Sequence, residues 1–263
     1  MLPVALTIAG SDSGGGAGIQ ADLKTFHAFG VFGTSAITAI TAQDTVGVRA
    51  VHAVPPAIVV QQMEAVVEDL GPAACKTGML ATAELVHTVA DAIERLALGR
   101  YVLDPVMVAT SGDRLLDADA EQAVAERLLP LCALATPNLD EAAILAGETP
   151  SDEAGMRRAA RRLAERGARA VLVKGGHLAH GEVVDVLLDA GEWHVWRRPR
   201  IDTRSTHGTG CTLSAAVTAG LARGRPLVAA VEAALDYVHR AMRDAPDLGR
   251  GHGPLNHFVP ADG

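Results

Sequence analysis

The chain reads as an α/β sandwich with buried parallel strands. Short apolar runs without polar alternation recur along it, nearly every run leads into a helical pattern, and polar residues recur where the runs end. In order, VALTIAG (4–10) precedes a helix from about Ala17, and TSAITAIT (34–41) precedes one near Ala57–Asp69. AACKTG (73–78) precedes a helix near Ala83–Leu98, and YVLDPV (101–106) one near Ala118–Leu129. ALATPN (133–138) leads to Leu139–Ala146 and then Glu153–Arg166. AVLVKGG (170–176) is followed by a hairpin-like pair, EVVDVLLDAGEWHVW (182–196), and two Ala-rich helices close the chain at about Thr209–Ala222 and Leu227–Arg243. Without a Pro/Ser-rich linker, charge block or repeat, residues 1–263 are expected to form one domain.

Composition narrows the function. A formal net charge of −8 argues against general affinity for nucleic acid or anionic lipid, and 3% aromatic residues provide no platform for stacking single strands. Cys75, Cys132 and Cys211 are far apart, without CxxC or metal-ligand spacing, so reduced thiols and a cytoplasmic protein are expected. The N-terminus lacks a basic region ahead of its apolar run and reads as a strand and turn rather than a signal peptide. The uncharged stretch Thr25–Gln43 is broken by Gly30 and Gly33 and carries Ser, Thr and Gln, so no membrane span is expected there.

Asp12, Gln43, Lys76, Asp104, Asn138 and Lys174 all fall at or just past a strand end, where open parallel sheets bind ligands. No Gly–Lys pair exists to form a P-loop, and after Gly14 and Gly16 the third glycine of GxGxxG is replaced by Ile19. Two glycine-rich turns remain, Gly14–Gly16 and Gly208–Gly210, each opening a helix whose free N–H groups favour an anion. Asp104 reads either as a Mg2+ ligand or as a loop cap, and Asn138 with Glu141 either as a capping box or as groups orienting metal and phosphates. Lys174 and Lys76 end buried strands, so each needs an anionic partner, a phosphate or a structural carboxylate. Cys211, at a helix N-terminus, can have thiolate character or be a small packed residue; as an acyl-transfer nucleophile it would want a base, and His207 is near only in sequence. Cys75 and Cys132 read as core, and His252 and His257 as part of a turn pinning the tail.

Taken together, AGSDSGGGAGIQADLKTF, TAITAQDTVGV, KTGML, LDPVMVATSGDRLL, TPNLDEA, VLVKGGH, THGTGCTLSAA and GHGPL, in this order, closely resemble the hydroxymethylpyrimidine/phosphomethylpyrimidine kinases of thiamine biosynthesis, in the ribokinase superfamily. One departure is Asp44, where Asn is expected after Gln43. The resemblance implies a ribokinase-like, three-layer α/β/α sandwich with a mainly parallel central sheet, a homodimer, and ATP with Mg2+. It also implies two successive phosphorylations at one site: 4-amino-5-hydroxymethyl-2-methylpyrimidine to its monophosphate, then to its diphosphate. Carried over by position, Gln43 would read the pyrimidine's amino group and ring nitrogen, an amide having both donor and acceptor. Gly10, Ala17, Met79 and Val106 would line the pyrimidine pocket. Asp104 and Glu141 would hold or water-bridge Mg2+, and Asn138 and Lys174 would lie along the ATP phosphates. Gly208, Thr209 and Gly210 would cradle the transferring group, with Cys211 as base or orienter for the first hydroxyl. A pyridoxal-type kinase, a non-catalytic binding protein and a cysteine acyltransferase are the competing readings.

Overall fold

The computed structural model describes residues 2–107, 116, 118–176 and 181–261; positions 108–115 of the LDPVMVATSGDRLL stretch and His177 of VLVKGGH lie outside them. The predicted sheet is present, with nine strands in the order β3-β2-β1-β4-β5-β6-β7-β8-β9. These are β1 Val4–Asp12, β2 Phe32–Gln43, β3 Val48–Ala53, β4 Ala74–Thr77, β5 Tyr101–Leu103, β6 Leu134–Ala135, β7 Ala170–Lys174, β8 Glu182–Asp189 and β9 Glu192–Pro199. From β2 through β1 and β4 to β7 every pairing is parallel, whereas β3 at one edge and β8 and β9 at the other are antiparallel.

The unbroken apolar runs follow from burial on both faces. Leu6 and Ile8 of β1, Tyr101 and Leu103 of β5, and Val171 and Val173 of β7 join one core. Their neighbours Ala5, Val102 and Leu172 point into the other, because successive side chains of a strand alternate. The first core is covered by α2 (Pro56–Leu70), α3 (Ala83–Arg95), α4 (Ala118–Ala123), α5 (Leu139–Ala146) and α6 (Glu153–Glu165). The second lies under α1 (Gly18–Ala28), α7 (Thr209–Ala222) and α8 (Leu227–Arg243), with Phe29 and Tyr237 edge to face at 5.1 Å between ring centroids. The result is the three-layer α/β/α arrangement. α7 is buried continuously from Thr212 to Ala222 and needs small residues: a Cβ on Gly220 would come within 2.8 Å of Ala230 Cβ.

Two local expectations need correction. β3 was not expected; nearly all its side chains face solvent, so no core-facing pattern marks it in the sequence. The single helix expected over Ala118–Leu129 is α-helical only to Ala123, then widens into a π turn (124–128) and tightens into a 3-10 turn (129–131). Pro130, which has no N–H, cannot continue the α pattern there.

Candidate active site

Because β1, β2 and β4 to β7 are parallel, their C-terminal ends open on one edge of the sheet, and the polar residues singled out in the sequence meet there. Asp104 follows β5 and is 1% exposed. Its Oδ1 lies 3.4 Å from Lys174 Nζ at the end of β7, and its Oδ2 accepts a 3.0 Å hydrogen bond from Ser214 Oγ of α7. Glu141 Oε2 lies 3.9 Å from the same Lys174 ammonium. On the other side Lys76 Nζ is 3.9 Å from Asp104 Oδ2 and 2.8 Å from Asp22 Oδ1 of α1. Asp22, Lys76, Asp104, Lys174 and Glu141 thus form a row of alternating charge beneath the sheet edge.

The row explains its own ionisation. Burial opposes the charge of Lys174, but Asp104 and Glu141 outweigh it and keep the ammonium protonated beyond its usual range. Lys76, 0% exposed, is held charged against its burial mainly by Asp22. Between the two readings open for it, phosphate or structural carboxylate, the partner found is the Asp22 carboxylate, which also accepts a 2.6 Å hydrogen bond from Thr7. Burial raises Glu141 to about 7, with Lys174 pulling it down and Asp104 pushing it up.

Asn138 and Glu141 do form the capping box, each side chain bonded to the other's backbone N–H at 2.9 and 2.8 Å. The two readings of this pair are therefore compatible: the cap fixes Glu141 at the mouth of α5, facing Lys174, while Asn138 bridges to β7 beside Lys174. Among the described residues no cluster of three His, Cys, Asp or Glu side chains is placed to hold a metal alone.

The turn before α7 closes the site from above. Gly208 is the left-handed N-cap, φ +80°, and a Cβ on it would overlap the Gly16 carbonyl oxygen. The Thr209 N–H is taken by the Thr206 carbonyl, but the next two, of Gly210 and Cys211, have no acceptor among the described residues. Gly210 itself lies against the lysine: a Cβ on it would sit 3.2 Å from Lys174 Nζ and under 4 Å from both Asp104 oxygens. Two free N–H groups at a helix N-terminus, with an ammonium beside the first of them, favour an anion there. Although Cys211 is only partly buried as a residue, desolvation of its thiol, with Asp104 and Asp22 nearby, pushes it up to about 12 despite Lys76 and the Gly18 N–H. Of the two readings open for it, thiolate character or a small packed residue, the second is favoured: burial of the thiol, with Asp104 and Asp22 adding to it, outweighs the helix terminus.

The acceptor side is less closed. Gly10 of β1 faces Met79, whose Sδ would lie 3.6 Å from a Cβ at Gly10. Ala17 lies beside Gly208, and Val106 follows Asp104 in a turn. Gln43 is tied through its backbone to Ser13, with N–H to Oγ at 2.8 Å and Oγ to carbonyl at 2.7 Å, and its side-chain Oε1 accepts from Thr41 at 3.1 Å, leaving the amide NH2 as a donor. Asp44 caps the β2–β3 turn through the N–H groups of Val46 and Gly47, as Asn also could, and its second oxygen pairs with Arg49. The tail is pinned as expected: His252 N–H donates to the Thr45 carbonyl at 2.8 Å, and His257 Nε2 meets Thr212 Oγ1 at 3.0 Å. Both Cys75 and Cys132 are core residues.

Several partners were not visible in the sequence. Ser214 is one turn beyond Cys211 on α7, so helix spacing alone would place both on one face. Asp22 and Thr136, which donates to Asp104 Oδ1 at 3.4 Å, carry no local signal and reach the site only through the fold.

Known proteins bear on this geometry. The profile described as phosphomethylpyrimidine kinase matches residues 12–256. The hydroxymethylpyrimidine/phosphomethylpyrimidine kinase of Rhizobium meliloti is 54% identical over 261 residues, covering 98% of either chain. Among solved structures, an ADP complex of Bacillus subtilis pyridoxal kinase superposes with a TM-score of 0.91 at 39% identity, covering 98% of both chains. A phosphomethylpyrimidine kinase from Clostridium difficile superposes with a TM-score of 0.82 at 41% identity, covering 91% of this chain and 99% of that one. A helix mouth with free N–H groups beside a row of buried charges, on a fold shared with vitamin kinases, agrees with that near full-length identity: the chain belongs to the phosphomethylpyrimidine kinase family.

Proposed function

We propose that this site transfers the γ-phosphoryl group of ATP in line, first to the hydroxymethyl oxygen of 4-amino-5-hydroxymethyl-2-methylpyrimidine and then to the resulting monophosphate. Phosphorylation in thiamine biosynthesis is the family's activity, and solved pyridoxal kinases of the same fold, in complex with ADP or AMP-PCP, support ATP as donor. The observation that carries the reading is the pair of free N–H groups of Gly210 and Cys211 at the mouth of α7, where Gly210 lies against Lys174. In the first reaction the acceptor oxygen bonds to the γ-phosphorus, the bond to the β–γ bridging oxygen breaks, and ADP leaves. Negative charge spread over the transferring group meets the two N–H groups and the Lys174 ammonium, which are already in place. Gly208 and Thr209 shape that cradle, and Asn138 lies along the phosphates.

Asp104 and Glu141 offer hard oxygen donors on either side of Lys174, which fits a Mg2+ ion held by one or two carboxylates, water and nucleotide oxygens. When bound, the ion neutralises phosphate charge. Glu141 then acts as a carboxylate whose proton is lost near neutral pH. Gln43 donates its free NH2 to the pyrimidine ring, and Gly10, Ala17, Met79 and Val106 give the ring a small apolar pocket. Cys211, protonated, orients the acceptor hydroxyl rather than removing its proton, which passes to an oxygen of the transferring phosphoryl group as the new bond forms; a loose transition state asks little of a base. All of residues 1–263 act as one kinase domain, and the exposed Ile40, Val46 and Val51 of the β2–β3 ribbon support a homodimer through that edge.

The test is ADP production from ATP with each acceptor, across a Mg2+ titration. Turnover of both the pyrimidine and its monophosphate, abolished by chelation, is expected; faster turnover of pyridoxal than of the pyrimidine would reject the acceptor assignment, and metal-independent turnover would reject the Asp104–Glu141 assignment.

A further inference from the structure

Asp12 and His207, 195 residues apart in sequence, meet at 2.8 Å between Oδ2 and Nε2. Both are buried, at 3% and 7% exposure. Both carboxylate oxygens are engaged: Oδ1 accepts from Gly14 N–H at 2.8 Å, and Oδ2 from Gly16 N–H at 3.0 Å and Ala17 N–H at 2.8 Å as well as from the imidazole. Burial opposes the charge of Asp12, but these hydrogen bonds, His207's foremost, hold its pKa below the ordinary value. It is an ionised acceptor, so His207 Nε2 carries the proton. Oδ2 is saturated by three donors, so the oxygen that faces His207 has nothing left for a ligand.

The imidazole works as a spacer. Its Cδ2 packs so close to Gly16 that a Cβ there would overlap it, and the next residue, Gly208, is pressed onto the Gly16 carbonyl. His207 N–H also donates to the Gly253 carbonyl at 3.1 Å, tying in the tail segment. Two turns from opposite ends of the chain are thereby locked at one separation. One carries Ala17 of the pyrimidine pocket, and the other carries the Gly210 and Cys211 N–H groups.

We infer that the Asp12–His207 pair is the positioning element that sets the distance between the acceptor pocket and the phosphoryl cradle. The inference rests on the assignment of those two turns under the proposed function. Such a pair acts on the reacting geometry more than on either binding site. In-line transfer is sensitive to displacements of about 1 Å, which cost up to ~10²-fold in rate.

The experiment compares His207→Ala, His207→Gln and Asp12→Asn with the wild type, measuring kcat, both KM values and thermal stability, with rates expressed per folded molecule. In His207→Ala, kcat is expected to fall by about 10²-fold while the KM values for pyrimidine and ATP change by less than about threefold. His207→Gln, whose amide NH2 can again donate to Asp12, is expected to recover about tenfold or more of that loss. If His207→Ala does not fold, Asp12→Asn carries the test, since it keeps the shape but loses acceptors for Gly16, Ala17 or His207. Wild-type kcat in the folded variants, or a loss that follows thermal stability and is not restored by Gln, would overturn the inference. Gly210→Ala separates the two levels. Unchanged kcat there overturns the cradle assignment itself, whereas impaired Gly210→Ala beside wild-type His207→Ala overturns only the positioning role.

Discussion

The Lys174 ammonium stands 3.4 Å from Asp104 Oδ1, kept charged there although burial opposes its charge. This contact joins two strand ends, β5 and β7, and aims a permanent positive charge at the mouth of α7. Replacing Lys174 by Met removes that charge from the transferring phosphoryl group. A fall in kcat of about 10²–10³-fold is expected, comparable to loss of one preorganised donor elsewhere. Steady-state kinetics on the pyrimidine check it.

The Cys211 thiol, pushed up to about 12, predicts slow alkylation by iodoacetamide at pH 7 in the ligand-free protein. Cys211→Ala is expected to slow phosphorylation of the pyrimidine by up to ~10²-fold and that of its monophosphate much less, because the second acceptor is already anionic. Parallel assays with both acceptors decide the matter; equal losses would remove the orienting role.

Glu141, raised from 4.5 to about 7, makes the nucleotide-free protein pH-sensitive. Between those values the folded state holds a proton that the unfolded state has released, so stability falls as pH rises through this window. The difference is roughly 3 kcal/mol, complete above about pH 7. Urea titrations from pH 4.5 to 7.5 should show this decline in the wild type and a flatter profile in Glu141→Gln.

Lys76 is fully buried and paired with Asp22 at 2.8 Å. Lys76→Met leaves Asp22 without its cation and is expected to cost about 3–5 kcal/mol. The double variant Lys76→Met/Asp22→Asn should recover part of this, since no uncompensated charge remains. Chemical denaturation of the set is the check, and additivity of the two single losses would deny the pairing its importance.

Much of this was legible in the sequence, for identifiable reasons. Helices α7 and α8 were read with their observed limits, because Gly208 and Pro226 mark where each begins. The buried parallel strands were legible because both faces are covered. The gathering of Asp104, Asn138, Glu141, Lys174 and Gly210 follows from their places at parallel strand ends and helix mouths. What was not legible depends on the third dimension. β3 has no buried face to pattern it. Asp22 reads as an ordinary residue of α1 until the fold brings Lys76 against it, and nothing in either turn announces that Asp12 meets His207. The state of the Cys211 thiol stays open in the sequence because the helix terminus is local, whereas the burial that raises it, and the nearby Asp104 and Asp22, depend on the fold.

The most direct measurement of the central claim is a crystal structure with the pyrimidine and a non-hydrolysable ATP analogue. The γ-phosphate is predicted within hydrogen-bond distance of the Gly210 and Cys211 N–H groups and of Lys174 Nζ, with the hydroxymethyl group between it and Cys211. A γ-phosphate bound away from the mouth of α7, or a pyrimidine that does not touch Gln43, would contradict the account.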